Sequence, residues 1–168
     1  MRFICRLALF GFIAISPCLA QSSGRGPSTP EERNKAVQTA RKLQMDPLSP
    51  DAQADREWLV KWLIEVPDIS VKLCSSILGD LGDSKTGKPG ALIATMLASE
   101  AAFVIENPKK AQDLEAIYLA GLDGSLNAYQ SLRKADPAYR VKHLDDLLSM
   151  REEGKLPRYI KDAAKKCK

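Results

Sequence analysis

Residues 82–88, Gly-Asp-Ser-Lys-Thr-Gly-Lys, fit the pattern G-x-x-x-x-G-K, a loop whose backbone amides and lysine can cradle the phosphates of a nucleotide. The context argues against that chemistry. The position after the lysine should carry a Ser or Thr to hold magnesium but carries Pro89, which also lacks an amide proton. The segment before Gly82 reads as helix rather than a buried strand. The expectation is a solvated loop between helices, with no nucleotide.

Carboxylate chemistry is more economical, since glycoside cleavage needs only two Asp or Glu side chains at a suitable separation. Glu65, Glu100 and Glu106 border apolar segments and are the candidates. Glu100 lies halfway along a segment that is apolar nearly all round, where a carboxylate must be paired, protonated or open to a cleft. Glu100 and Glu106 are six residues apart and fall on different sides of a helix, which argues against a working pair. The plainer expectation is a partly exposed Glu100 with no chemical task.

The single histidine, His143, lies among Lys142, Asp145 and Asp146 and is expected on a solvated face. A Ser-His-Asp site would need it, and no serine sits in a recognisable nucleophile turn. One histidine also supplies a Cys/His zinc site poorly, so no metal and no cofactor are expected. Trp58 and Trp62, one helical turn apart, and Tyr118 are read first as packing residues and second as walls of a ligand groove. With Glu100 they form the candidate ligand-binding set.

Residues 1–20 have the pattern of a secretory leader: a basic start with Arg2 and Arg6, an apolar run over residues 7–15, and Cys18-Leu19-Ala20 before Gln21. That run is short of the roughly 20 residues that span a bilayer, and no later uninterrupted apolar stretch reaches that length. Cleavage is expected near Ala20, leaving a periplasmic or secreted chain with no transmembrane segment. Cys5 and Cys18 depart with the leader. Cys74 and Cys167 remain, and in an oxidising compartment they can pair in only one way. No C-x-x-C pair is present, so the bond is read as a staple rather than a redox site.

Of 25 Lys and Arg residues, the leader removes two, leaving 23 against 21 Asp and Glu, a net +2. A balance that even gives no basic face for DNA or RNA. With 45% hydrophobic and 27% charged residues the composition is that of a chain that folds. A chain of about 150 residues buries roughly 68–70% of the surface it exposes unfolded, enough for one core.

The elements that must position these groups are helices. Residues 21–30 read as a flexible Ser/Gly/Pro-rich tail, and residues 31–168 as the folded domain. Thr29 caps a first helix with Pro30 at its first position, running toward Met45. A second spans residues 51–65, with Trp58, Leu59, Trp62, Leu63 and Val66 on one stripe. Pro67 then kinks this helix or starts another, in which Ile69, Leu73, Ile77 and Leu81 recur every four residues. Residues 91–106 form a central helix. Residues 111–135 are helical, with small residues Ala120, Gly121, Gly124 and Ala128 admitting a close neighbour, and with Gly121 and Gly124 marking a kink or break. Asp136-Pro137 should open a helix that Gly154 ends, and a last one runs from Pro157 to about Lys166.

The reading is an all-α, single-domain bundle of about five to seven helices stapled by one disulfide. Its expected function is that of an exported non-catalytic module binding an envelope or extracellular protein, or a small apolar ligand, in a groove between helices. The alternative is a small carboxylate-dependent hydrolase acting on wall or other extracellular polymer. A purely structural or assembly role is the third reading.

Overall fold

In the computed structural model, which describes residues 25–81 and 88–167, the first helix starts where the capping chemistry dictates. The Thr29 hydroxyl accepts from the Glu32 amide at 3.2 Å, and the Glu32 carboxylate accepts from the Thr29 amide at 3.0 Å. That reciprocal box satisfies two donors that a helix start leaves open. Helix α1 (Pro30–Met45) follows, then α2 (Ala52–Glu65), α3 (Lys88–Glu106), α4 (Leu114–Ala135), α5 (Lys142–Glu152) and α6 (Leu156–Ala164). The described residues contain no strand. The molecule is the expected all-α bundle.

Helix α3 is the hub, packing against α1, α2 and α4. By length and composition it could cross a bilayer, but two-thirds of its apolar window is buried within the bundle. Small residues make that packing close. A Cβ added at Gly121 would lie 2.7 Å from Glu100 Cγ, and one at Gly124 would lie 1.9 Å from Ser99 Oγ. The helices therefore touch at a separation that no larger side chain permits. Ser125 Oγ donates to the Leu92 carbonyl at 2.9 Å and Gln44 Nε2 to Ser99 Oγ at 3.0 Å, so the two serines at these contacts are satisfied. Two apolar clusters flank the hub. One joins residues 74–81 to α3–α6, and the other joins α1, α2 and α3 to the start of α4. Each fully buried leucine, such as Leu92, Leu122 or Leu126, contributes about 1.5–3 kcal/mol.

Cys74 and Cys167 form a disulfide, with Cα atoms 5.6 Å apart across a sequence separation of 93 residues. On the loop-entropy relation this closure is worth about 4–5 kcal/mol. It ties the chain after α6 to the segment between α2 and α3.

Several expectations are corrected. Residues 66–74 are not helical; they run as an irregular strap, bent at Pro67 and Asp68 and followed by one 3-10 turn at Ser75–Ile77. Pro67 forces Val66 into the extended region and ends α2, and the four-residue repeat does not share one face: Ile69 of the strap is buried, Leu73 is exposed, and Ile77 and Leu81 are buried beyond it. Gly121 and Gly124 do not break α4, which is continuous because the α3 contact compensates for their poor propensity. Asp136-Pro137 makes a turn rather than a helix start. Asp136 Oδ1 accepts from the Ala138 amide at 3.1 Å, and α5 begins only at Lys142. Gly154, at φ +69°, ends α5 as expected, with Lys155 N–H bonded to the Met150 carbonyl and Gly154 N–H to that of Arg151.

Residues 1–20, and residues 82–87 of the phosphate-loop pattern, lie outside the described residues. Of the segment read as a flexible tail, residues 25–29 are described and docked. Arg25 pairs with Glu32 and Glu65, and Ser28 bonds to Asp68 through both its amide and its hydroxyl at 2.8 Å.

Candidate functional site

The four candidate ligand residues fall in two places. Trp58 and Trp62 stack with centroids 5.7 Å apart, Lys35 Nζ lies 3.9 Å over the Trp58 ring, and Trp62 is buried in the cluster shared with α1. They are packing residues of the α1–α2 contact. Glu100 and Tyr118 meet elsewhere, between α3 and α4, with Tyr118 in the opposite apolar cluster.

Glu100 corrects the expectation of a partly exposed side chain, for its relative exposure is 0% and neither carboxylate oxygen has a hydrogen-bond partner. Burial pushes its pKa up to about 8, opposed by the Lys72 backbone N–H, which acts on it from outside hydrogen-bond geometry. At neutral pH the group is thus mostly the uncharged acid. Burial also raises the Tyr118 hydroxyl, and proximity to Glu100 raises it further. The other acids proposed with Glu100 lie on the surface. Glu65 pairs with Arg25 and Lys61, and Glu106 with Arg41 at 2.6 Å.

His143 is likewise not a solvated surface residue. It is half-buried, with Nε2 3.1 Å from the Tyr159 hydroxyl and 3.3 Å from the Ile77 carbonyl, while Tyr159 donates to that same carbonyl at 2.8 Å. These bonds are satisfied together when Nε2 carries a proton and donates it. The ring packs on Gly79, at φ +65°, and with Tyr159 ties α5 and α6 to the 3-10 turn that follows the strap. Lys88, the lysine of the phosphate-loop pattern, pairs with Asp136 and lies 4.5 Å over the Tyr139 ring. Among the described residues no group of three or more His, Cys, Asp or Glu converges.

The open apolar hollow lies on the side of α2 away from the tryptophans. An open groove of about 570 Å3 runs between α2 and α3, with Val60 and Ile64 from α2 and Gly90, Ala91 and Ala94 from α3, and with Arg56, Glu57, Lys61 and Glu65 also lining it. Ile64 is 79% exposed, unusual for an isoleucine in a folded chain. The sequence did carry a signal for this face: Val60 and Ile64 are apolar, four residues apart, and off the tryptophan stripe. A second hollow of about 510 Å3 lies at Phe103, Leu119 and Leu156, with Lys110, Asp123 and Arg151 around it. Arg151 is engaged there by Asp123, Asn127 and Gln130. Comparison with protein-family models, curated proteins and solved structures found no match to this chain.

Proposed function

We propose that the protein is an exported, non-catalytic helical module that takes up a small apolar ligand in the groove between α2 and α3. The observation that carries this reading is the groove itself, an open hollow of about 570 Å3 whose surface is mostly apolar, with four charged side chains also lining it. Export is read from the leader pattern of residues 1–20. The hydrolase alternative needs two carboxylates across an open cleft. The burial of Glu100 and the surface pairing of Glu65 and Glu106 favour binding over it.

The test is a titration of the 15N-labelled exported chain with 1-anilinonaphthalene-8-sulfonate, followed by amide shifts. Saturable shifts at Val60, Ile64, Ala91 and Ala94, lost in Ile64→Asp without a change in Tm, are the expected result. Shifts centred on Phe103, Leu119 and Leu156 would move the site to the second hollow, and no saturable shift would end the ligand reading.

A further inference from the structure

The near-even charge of the chain after the leader is unevenly distributed. Residues 155–168 hold six Lys and Arg against a single Asp, whereas residues 21–154 hold 17 against 20 Asp and Glu. A short basic stretch therefore follows an acidic remainder, a segregation that the net +2 conceals.

Helix α6 turns that composition into a face. Leu156, Ile160 and Ala163 recur at spacings of four and three and are buried, so the helix is fixed by its inner side. Arg158 and Lys161 point outward, Lys165 and Lys166 follow in the closing turn, and all four are exposed. Asp162, the acid among them, is paired with Lys165 at 2.8 Å. Arg158, Lys161 and Lys166 make no ion pair or side-chain hydrogen bond among the described residues.

The disulfide extends this face onto the strap. Cys74 and Cys167 have Cα atoms 5.6 Å apart, so those of Leu73 and Lys166 lie within about 13 Å of each other. Ser76 Oγ is 3.6 Å from Cys167 Sγ, so the turn after the strap meets the tail directly. Lys72 is exposed, and Leu73 is 54% exposed, a large apolar side chain left in water beside a run of cations.

We propose that the outer side of α6 and the end of the strap form one docking face for an anionic lipid bilayer: Lys72, Arg158, Lys161, Lys165 and Lys166 meet headgroup phosphates, and Leu73 enters the boundary between headgroups and acyl chains. Cations near an anionic leaflet gain from its surface potential, and an apolar side chain set among them gains by leaving water. A phosphate polymer such as DNA answers the cations and gives Leu73 nothing. The inner side of α6 stays in the bundle, so docking requires no unfolding. None of these residues lines the groove between α2 and α3, so this inference is independent of the ligand reading.

The experiment is co-sedimentation of the exported chain with phosphatidylcholine vesicles made with and without phosphatidylglycerol. Partitioning at least about tenfold stronger onto the anionic vesicles, and lost in molar salt, is the expected result. Arg158→Glu with Lys161→Glu should weaken it at least about tenfold, and Leu73→Ser about threefold. Lys35→Glu with Arg41→Glu places the same change of net charge on α1 and should leave it within about twofold. Equal partitioning onto both vesicles, none onto either, or an equal effect of the α1 pair overturns the proposal. So does binding to duplex DNA of matching strength that Leu73→Ser leaves unchanged, which would assign the face to a phosphate polymer. Should the α6 variant fail to fold, the unaltered chain decides through vesicles carrying a nitroxide on the lipid headgroup. Amides of residues 71–73 and 158–166 broadening ahead of those of α1 support the face, and any other order refutes it.

Discussion

Glu100 Oε1 lies 2.8 Å, and its Cγ 2.7 Å, from the position a Cβ on Gly121 would occupy, so the acid and the absent side chain are two halves of one packing unit. The relationship runs both ways. The glycine permits α3 and α4 to approach, and that approach seals the carboxylate from water.

Gly121→Ala therefore forces Glu100 to shift in a closed site and is expected to cost about 1–3 kcal/mol, as overpacking does. Adding Glu100→Ala should return part of that loss, giving a coupling of at least about 0.5 kcal/mol in a double-mutant cycle by urea unfolding. Strictly additive losses would show that the two positions do not share the space.

The pH dependence of stability has a defined direction. Glu100 is raised from 4.5 to about 8 in the folded state, so below pH 4.5 both states are protonated and its stabilising contribution is fully present. As pH rises toward 8 the unfolded chain releases the proton while the folded one keeps it, and stability falls by up to about 1.4 kcal/mol per unit. The accumulated loss is on the order of 3–5 kcal/mol, complete above the folded pKa. Glu100→Gln removes that slope. Its Tm should exceed that of the unaltered chain at pH 8 and approach it at pH 4; parallel profiles would contradict a raised pKa.

Gly79 and Gly154 both take positive φ, at +65° and +69°, but only Gly79 has a neighbour where a Cβ would go, 2.7 Å from His143 Cδ2. Alanine at either position carries the left-handed penalty, roughly 1 kcal/mol. Gly79→Ala should cost distinctly more, and His143→Ala, which removes the bonds to Ile77 and Tyr159, about 1–2 kcal/mol. Chemical denaturation of the three variants checks the order, and equal losses at both glycines would mean the histidine gives way freely.

Reduction, or Cys74→Ser with Cys167→Ser, is expected to lower stability by about 2–5 kcal/mol. The loss should be accompanied by faster amide exchange in α6 and residues 70–74, which the bond joins. Unchanged exchange in both segments would show that the bond does not hold them.

Periodicity and capping made the helices legible because they act within a few residues of each other. Thr29 with Glu32, Pro30 and the stripe through Trp58 and Trp62 specify α1 and α2 locally. With Cys5 and Cys18 read as part of a leader, Cys74 and Cys167 are expected to pair with each other, and they form the disulfide. Where a local pattern met a tertiary one, the tertiary one prevailed. The repeat of Ile69, Leu73, Ile77 and Leu81 resembles a helix, yet the chain is irregular after Pro67 as far as Cys74, anchored at Asp68 and Cys74, and Ile77 falls in a single 3-10 turn. Gly121 and Gly124 read as breaks in isolation, and contact with Glu100 and Ser99 keeps α4 whole.

From the sequence by itself came the helical class, the first helix start, the disulfide partners and the suspicion attached to Glu100. Only the tertiary structure decided that Glu100 is sealed without a partner, that His143 is tied to Ile77 and Tyr159, and that the open apolar face of α2 belongs to Val60 and Ile64 rather than to its tryptophans. Helix propensity and caps are short-range properties. Burial, desolvation and the shape of a groove depend on which faces meet, and those faces come from residues far apart in the chain.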